Sequence, residues 1–114
     1  MFLSIDIGGS FTRIAISADG KSIKNKTKYR TPKKYDDGID LLVDQVEELT
    51  GGQVPKAIAV AAASPIDYEK GVMIRPPNLP GYKGYSLRHE LEIRLHTKVY
   101  LENDGALGGL GEST

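Results

Sequence analysis

The sequence predicts a mixed α/β sheet, and three observations predict it. Two short runs rich in Ile or Leu, Phe2 to Ile7 and Ile14 to Ala18, stand either side of a stretch with two glycines and two hydroxyl residues, as hairpin strands do. Apolar residues recur at helical spacing from Ile39 to Leu49. The apolar run Ala57 to Ala63 lies between Pro55 and Pro65, too short for a helix and without polar residues, as in a strand of a parallel sheet. Hairpin strands followed by a helix and then a parallel strand combine both pairing senses in one sheet.

In the first strand Leu3, Ile5 and Ile7 share one face and Phe2, Ser4 and Asp6 the other. Gly8 and Gly9 are expected to use positive φ in a tight turn to the second strand. Asp19-Gly20 reads as a type I′ turn into a third strand, Lys21 to Thr31. There Lys24, Lys26, Lys28 and Arg30 alternate with Ile23, Asn25, Thr27 and Tyr29. That basic stripe fits a nucleic-acid patch or the solvated face of a strand near the sheet edge; the acids elsewhere in the chain favour the edge. Thr31-Pro32 ends it.

Asp36-Asp37-Gly38 offers a helix N-cap, with Asp40 in the first turn. Ile39, Leu42, Val43, Val46 and Leu49 form its apolar face, and Gly51-Gly52 stops it. Ala57 to Ala63 is expected to be buried on both faces. A turn around Glu69-Lys70-Gly71 leads to a short extended piece, Val72 to Ile74. Pro76, Pro77 and Pro80 make residues 76–82 a stiff loop. Ser86 is the expected N-cap of a helix bearing Leu87, Leu91 and Leu95. Val99 to Leu101 is a further strand, ending at Glu102-Asn103-Asp104. Gly105 to Thr114 starts like a helix, although Gly108, Gly109 and Gly111 each cost it about 1 kcal/mol against Ala. His89 and His96 are expected on exposed helix positions, without a role.

A length of 114 residues implies one domain, 1–114. Lys+Arg and Asp+Glu balance at 15 each, so no long-range field draws the chain to nucleic acid or to an anionic membrane. No apolar run is long enough to span a bilayer, and Met1 leads straight into a strand, so neither membrane insertion nor a signal peptide is expected. The absence of cysteine removes disulfides and thiolate metal ligands and fits a cytoplasmic protein.

The stretch Asp6-Ile7-Gly8-Gly9-Ser10-Phe11-Thr12-Arg13 carries the first sign of chemistry. Gly8 and Gly9 let backbone approach a ligand closely, and successive N–H groups with the Ser10 and Thr12 hydroxyls suit phosphate oxygens. A carboxylate beside a phosphate requires a cation between them, so Asp6 points to Mg²⁺. The same residues also describe an ordinary hairpin turn, and they are neither a helix-opening G-x-G-x-x-G nor a Walker A loop. The stretch resembles the first phosphate motif of the actin-like ATPase superfamily.

Two further stretches make the resemblance specific. Arg75-Pro76-Pro77-Asn78-Leu79-Pro80-Gly81-Tyr82 resembles the P-P-N-L-P-G-W segment of the ROK family (repressors, open reading frames and kinases), and Leu101-Glu102-Asn103-Asp104-Gly105-Ala106 resembles its E-N-D-A-N-A segment. The resemblance implies a ribonuclease H-like (actin-like ATPase) lobe, with three antiparallel strands followed by parallel strands and flanking helices. It implies an ATP- and Mg²⁺-dependent sugar kinase in which Asp104 is the general base and Asn103, Asn78 and Ser64 line the sugar, while Gly8, Gly9, Ser10 and Thr12 hold phosphate. The chemistry agrees: phosphoryl transfer needs a hydroxyl held in line and its proton accepted. Taken without the resemblance, Asn103 or Asp104 would cap the last helix and Asn78 would make an Asx-turn.

Ala63-Ser64 stands where the family usually has Pro-Gly, so Ser64 adds a Cβ and a hydroxyl beside the sugar. The glycines after Asp104 replace an alanine-rich helix. Family members continue into a second lobe that supplies the adenosine site, a Glu-x-x-Gly-His motif and often a Cys/His zinc site. The expectation is therefore an N-terminal lobe whose C-terminal partner lobe is absent, inactive alone, and prone to self-association through the apolar surface that lobe would cover. A non-catalytic sugar-binding module related to the family's repressors is the alternative. A structural actin-like protein would have no use for the proline loop or the Asn-Asp pair. Polyphosphate in place of ATP is a further option that this stretch of chain does not decide.

Overall fold

A computed structural model describes residues 1–18, 23–62, 64–74, 76 and 79–103. Strands β1 (Phe2–Ile7), β2 (Phe11–Ser17) and β3 (Ile23–Arg30) are followed by helix α1 (Tyr35–Thr50), strand β4 (Ala57–Ala62), two short strands β5 (Ile66–Asp67) and β6 (Val72–Met73), helix α2 (Leu87–Leu95) and strand β7 (Val99–Asn103). The main sheet has the order β3-β2-β1-β4-β7. β1 pairs antiparallel with β2, and β2 with β3; β4 pairs parallel with β1, and β7 parallel with β4. This is the mixed sheet that the residue pattern predicts.

Alternation decides which face is covered. Leu3, Ile5 and Ile7 form one hydrophobic cluster with Ile14, Ile58 and Val60 of the neighbouring strands and with the apolar faces of both helices. The other face carries Ser4, Ala15, Ala57 and Ala59, all at least partly exposed, and Tyr100 at 50% exposure. The expectation that β4 is buried on both faces therefore holds only toward its end, at Ala61, which is buried, while Ala57 and Ala59 are partly exposed. Ile58, Val60 and Ala62 are buried beneath the helices, whereas among the described residues no helix lies over Ala57 and Ala59. Small side chains on that face made the run read as uniformly apolar.

β3 is at the sheet edge, as its lysines indicate, and only Thr27 and Tyr29 are partly buried. A register shift between Ile16 and Ser17 interrupts its pairing with β2. Helix α1 starts earlier than expected. Lys34 occupies the N-cap without a side-chain hydrogen bond, and Asp36 and Asp37 lie in the first turn, where their charge favours the helix dipole. Gly51 ends the helix at φ 66°, and its N–H donates to the Glu47 carbonyl. Ser86 does occupy the α2 N-cap, but its hydroxyl makes no cap bond. The proline loop closes in a single 3₁₀ turn, Pro80–Tyr82, which buries Leu79 and Tyr82. The Asp19-Gly20 turn, Ala63 and the stretch from Gly105 to Thr114 lie outside the described residues.

Candidate functional site

The ends of three parallel strands define the site. In register across the sheet, Asp6 of β1 stands beside Ala61 of β4, which stands beside Glu102 of β7. On the far side Asp6 pairs with Arg13, and Arg13 with Lys28. Cross-strand partners point to the same face, so Asp6 lies on the face opposite α1 and α2, between a cationic flank and an acidic one. A depression of about 500 Å³ beside it is lined by Ser4, Asp6, Arg13, Ala15, Lys26 and Lys28, among others. One residue further along, Ile7 and Ala62 are level with Asn103. The β1–β2 hairpin and the C-terminal end of β7 thus lie at one end of the sheet. Asp104 and Asn78 lie outside the described residues, and Asn103 is described by its backbone alone.

Within the hairpin, the Gly8 N–H donates to the Phe11 carbonyl at 3.0 Å. Neither Gly8 nor Gly9 has positive φ, which corrects the turn expected from the glycine pair. Gly8 is needed for closeness instead: a Cβ there would stand 2.9 Å from the Phe11 carbonyl oxygen. Ser10 is exposed at the tip, and its carbonyl accepts from the Thr31 N–H at 2.9 Å.

Thr12 requires a second correction. It is buried on the helix-covered face, and its hydroxyl is 2.8 Å from that of Thr31. Burial pushes the Tyr29 phenol, across the ladder from Thr12, up to about 12, although a hydrogen bond with Thr12 works against the shift. Since side chains alternate along β2, the hydroxyl of Thr12 points away from the face that carries Asp6. Ser64, just beyond β4, is buried; its N–H donates to the Ala62 carbonyl and its hydroxyl to the Pro65 carbonyl, both at 2.9 Å.

Sequence reasoning missed Lys33, whose Nζ donates to the Gly9 carbonyl at 2.8 Å. It lies between a strand and a helix, where no periodicity applies, and only its place after Thr31-Pro32 hinted at it. Glu102 was read as part of a motif; its place in the row with Asp6 needs the parallel register, which no local pattern gives.

The ROK family model matches residues 2–114. The chain belongs to the ROK family. It is 30% identical over 112 residues to a glucokinase of Thermotoga maritima, covering 96% of this chain and 35% of that protein. It superposes on a ROK family protein of Streptococcus pneumoniae solved with sucrose, at TM-score 0.80 and 28% identity over 97% of this chain and 37% of the other. A ROK glucokinase of Streptomyces griseus, solved with glucose and AMPPNP, matches at TM-score 0.80 and 23% identity, covering 90% of this chain and 33% of that one, which shows the shared fold. The chain thus spans about 35% of the length of the Thermotoga relative. The sheet order and its flanking helices are those of the ROK actin-like ATPase lobe.

Proposed function

We propose that this chain is the N-terminal lobe of an ATP-dependent ROK sugar kinase that transfers the γ-phosphoryl group to a sugar hydroxyl, and that by itself it does not turn over. The observation that carries the reading is the register of β1, β4 and β7. Because these strands run parallel, the hairpin that follows β1 and the end of β7 at Asn103 lie at the same end of the sheet, with β4 between them. A phosphoryl donor at one and a carboxylate base at the other would be within reach of a single substrate. The Streptomyces glucokinase with AMPPNP and glucose supports a nucleotide and a sugar as the ligands.

We assign phosphate contact to the Gly9 and Ser10 amides and the exposed Ser10 hydroxyl. The Gly8 amide and the Thr12 hydroxyl already have partners within the chain. Asp104 is the base, Asn103 and Asn78 the partners of the sugar hydroxyls, and Ser64 a wall of the sugar site whose hydroxyl is engaged with Pro65.

The residues fit Mg²⁺ of a particular kind. Among the described residues no cluster of three or more His, Asp or Glu could hold a metal. Asp6 offers a carboxylate beside the hairpin, which suits an ion held mainly by nucleotide phosphates and water. When bound, Mg²⁺ would offset the charge of the β- and γ-phosphates. The chain's own part is to position the phosphates by backbone amides and to accept the hydroxyl proton at the Asp104 carboxylate.

Two measurements test the proposal. The 114-residue chain with ATP, Mg²⁺ and a panel of hexoses should release no sugar phosphate; turnover at enzymatic rates would refute its inactivity. In a protein that contains this chain together with a second lobe, Asp104→Asn should lower kcat by about 10²–10⁴-fold. Sugar affinity by calorimetry should stay within a few-fold. Retained turnover would remove Asp104 from the base role.

A further inference from the structure

We propose that residues 31–34 form a strap that locks the hairpin to the proline loop, with Thr31, Lys33 and Tyr82 as positioning residues. The inference rests on the reading that the hairpin takes phosphate and the loop takes sugar. On the hairpin side, the Thr31 N–H donates to the Ser10 carbonyl at 2.9 Å and Lys33 Nζ to the Gly9 carbonyl at 2.8 Å. Below them the Thr31 and Thr12 hydroxyls share a buried hydrogen bond of 2.8 Å. On the loop side, the Tyr82 hydroxyl donates to the Pro32 carbonyl at 2.7 Å. Gly81 lies so near the strap that a Cβ there would stand 2.7 Å from the Lys33 carbonyl oxygen.

Thr31 therefore contacts the hairpin, Pro32 the loop, and Lys33 both, through its Nζ and its carbonyl. Pro32 fixes φ between them, which narrows the ways the strap can turn toward one side alone. The Tyr82 ring is itself held, edge-on to Tyr35 at 5.6 Å between centroids and with its hydroxyl end against Gly38. A cavity of only about 10 Å³ separates Thr12, Pro32, Gly38 and Tyr82, which leaves little slack. Buried hydroxyl bonds in so apolar a setting are costly to leave unmade. A loop displaced by sugar would pull on the Pro32 carbonyl and, through it, on the Gly9 and Ser10 carbonyls. The strap thereby gives the two substrate loops a shared equilibrium, which is the physical requirement for one ligand to bias the other.

The test needs no ligand. In the ¹⁵N-labelled 114-residue chain, Tyr82→Phe removes the bond to Pro32 and keeps the ring. The Thr31 amide should then exchange about tenfold faster and the Gly9 and Ser10 amides should shift, while Ile58, bonded to Lys98 on the far side of the sheet, stays unchanged. Lys33 is exposed, so Lys33→Met should fold and test the strap from the other side. It should shift the Gly81 and Tyr82 amides, and Lys33→Arg, which keeps a cationic donor, should restore them. Effects of Tyr82→Phe confined to residues 76–85 would overturn the proposal, and so would an equal disturbance from Lys33→Met and Lys33→Arg. Either result would leave the kinase reading standing, since that reading fails only in the turnover assays.

Discussion

Gly38 lies near the start of α1, where alanine would be favoured by about 1 kcal/mol of helix propensity. The fold forbids it: a Cβ at Gly38 would overlap the Tyr82 phenol. Gly38→Ala is therefore expected to lower stability by about 1–3 kcal/mol, read from the urea midpoint, despite the better propensity. A variant as stable as the parent would show that the Tyr82 ring has room to move. His96 is the converse case. It caps α2 at φ 55°, a left-handed conformation that costs a side chain with a Cβ about 1 kcal/mol. His96→Gly should recover up to about that amount in thermal unfolding. Both positions were opaque in the sequence. Gly38 looked like part of an N-cap and His96 like a plain helix residue, because the deciding contact or angle comes from the chain folding back. Thr12 was misread for a related reason. Its motif position suggested phosphate, whereas its parity along β2 put its hydroxyl under the helices with Thr31.

Elements were legible wherever a period was strong. The alternation of β1, the four-residue spacing of Leu87, Leu91 and Leu95, and the lysines of edge strand β3 each survive in the structure. Ends were less legible, because a cap depends on backbone angles at one residue. Lys34 shows this: its φ of −87° and ψ of 134° suit an N-cap, but its side chain cannot accept a bond from the first turn. Lys34→Ser supplies that acceptor and should stabilise the domain by about 1 kcal/mol in chemical denaturation. No gain would mean that the first amides of α1 are already satisfied in another way. The same helix is tied to α2 by Arg94 and Asp40 at 2.9 Å, an exposed pair that contributes little. The aromatic contacts matter more: Tyr35 stacks on Tyr85 at 4.0 Å between centroids and donates to Glu90.

At the scale of the molecule, the sheet order came from parallel crossovers that residue patterns imply only in outline; the family resemblance supplied the rest. What the topology adds is one end of the sheet where hairpin, β4 and β7 meet, and behind it a knot of phenols, Tyr35 and Tyr82 buried and Tyr29 partly so. Burial pushes Tyr29 and Tyr82 up to about 12 from 10.0, and it pushes Tyr35 well above its ordinary range, with the Glu90 carboxylate adding to the shift. The folded state holds these protons more tightly than the unfolded chain does. Their contribution to stability is thus complete below pH 10 and is lost as pH rises toward 12 and beyond. The urea midpoint should fall across that window, in step with ionisation of Tyr29, Tyr35 and Tyr82 followed residue by residue by NMR. Tyr82→Phe removes one of the groups and should make the fall shallower. If the phenolates instead formed near 10.0 with the fold intact, Tyr29, Tyr35 and Tyr82 would be open to water. The packing that joins proline loop, α1 and hairpin would then be looser than the contacts of Tyr82 with Pro32 and Gly38 require.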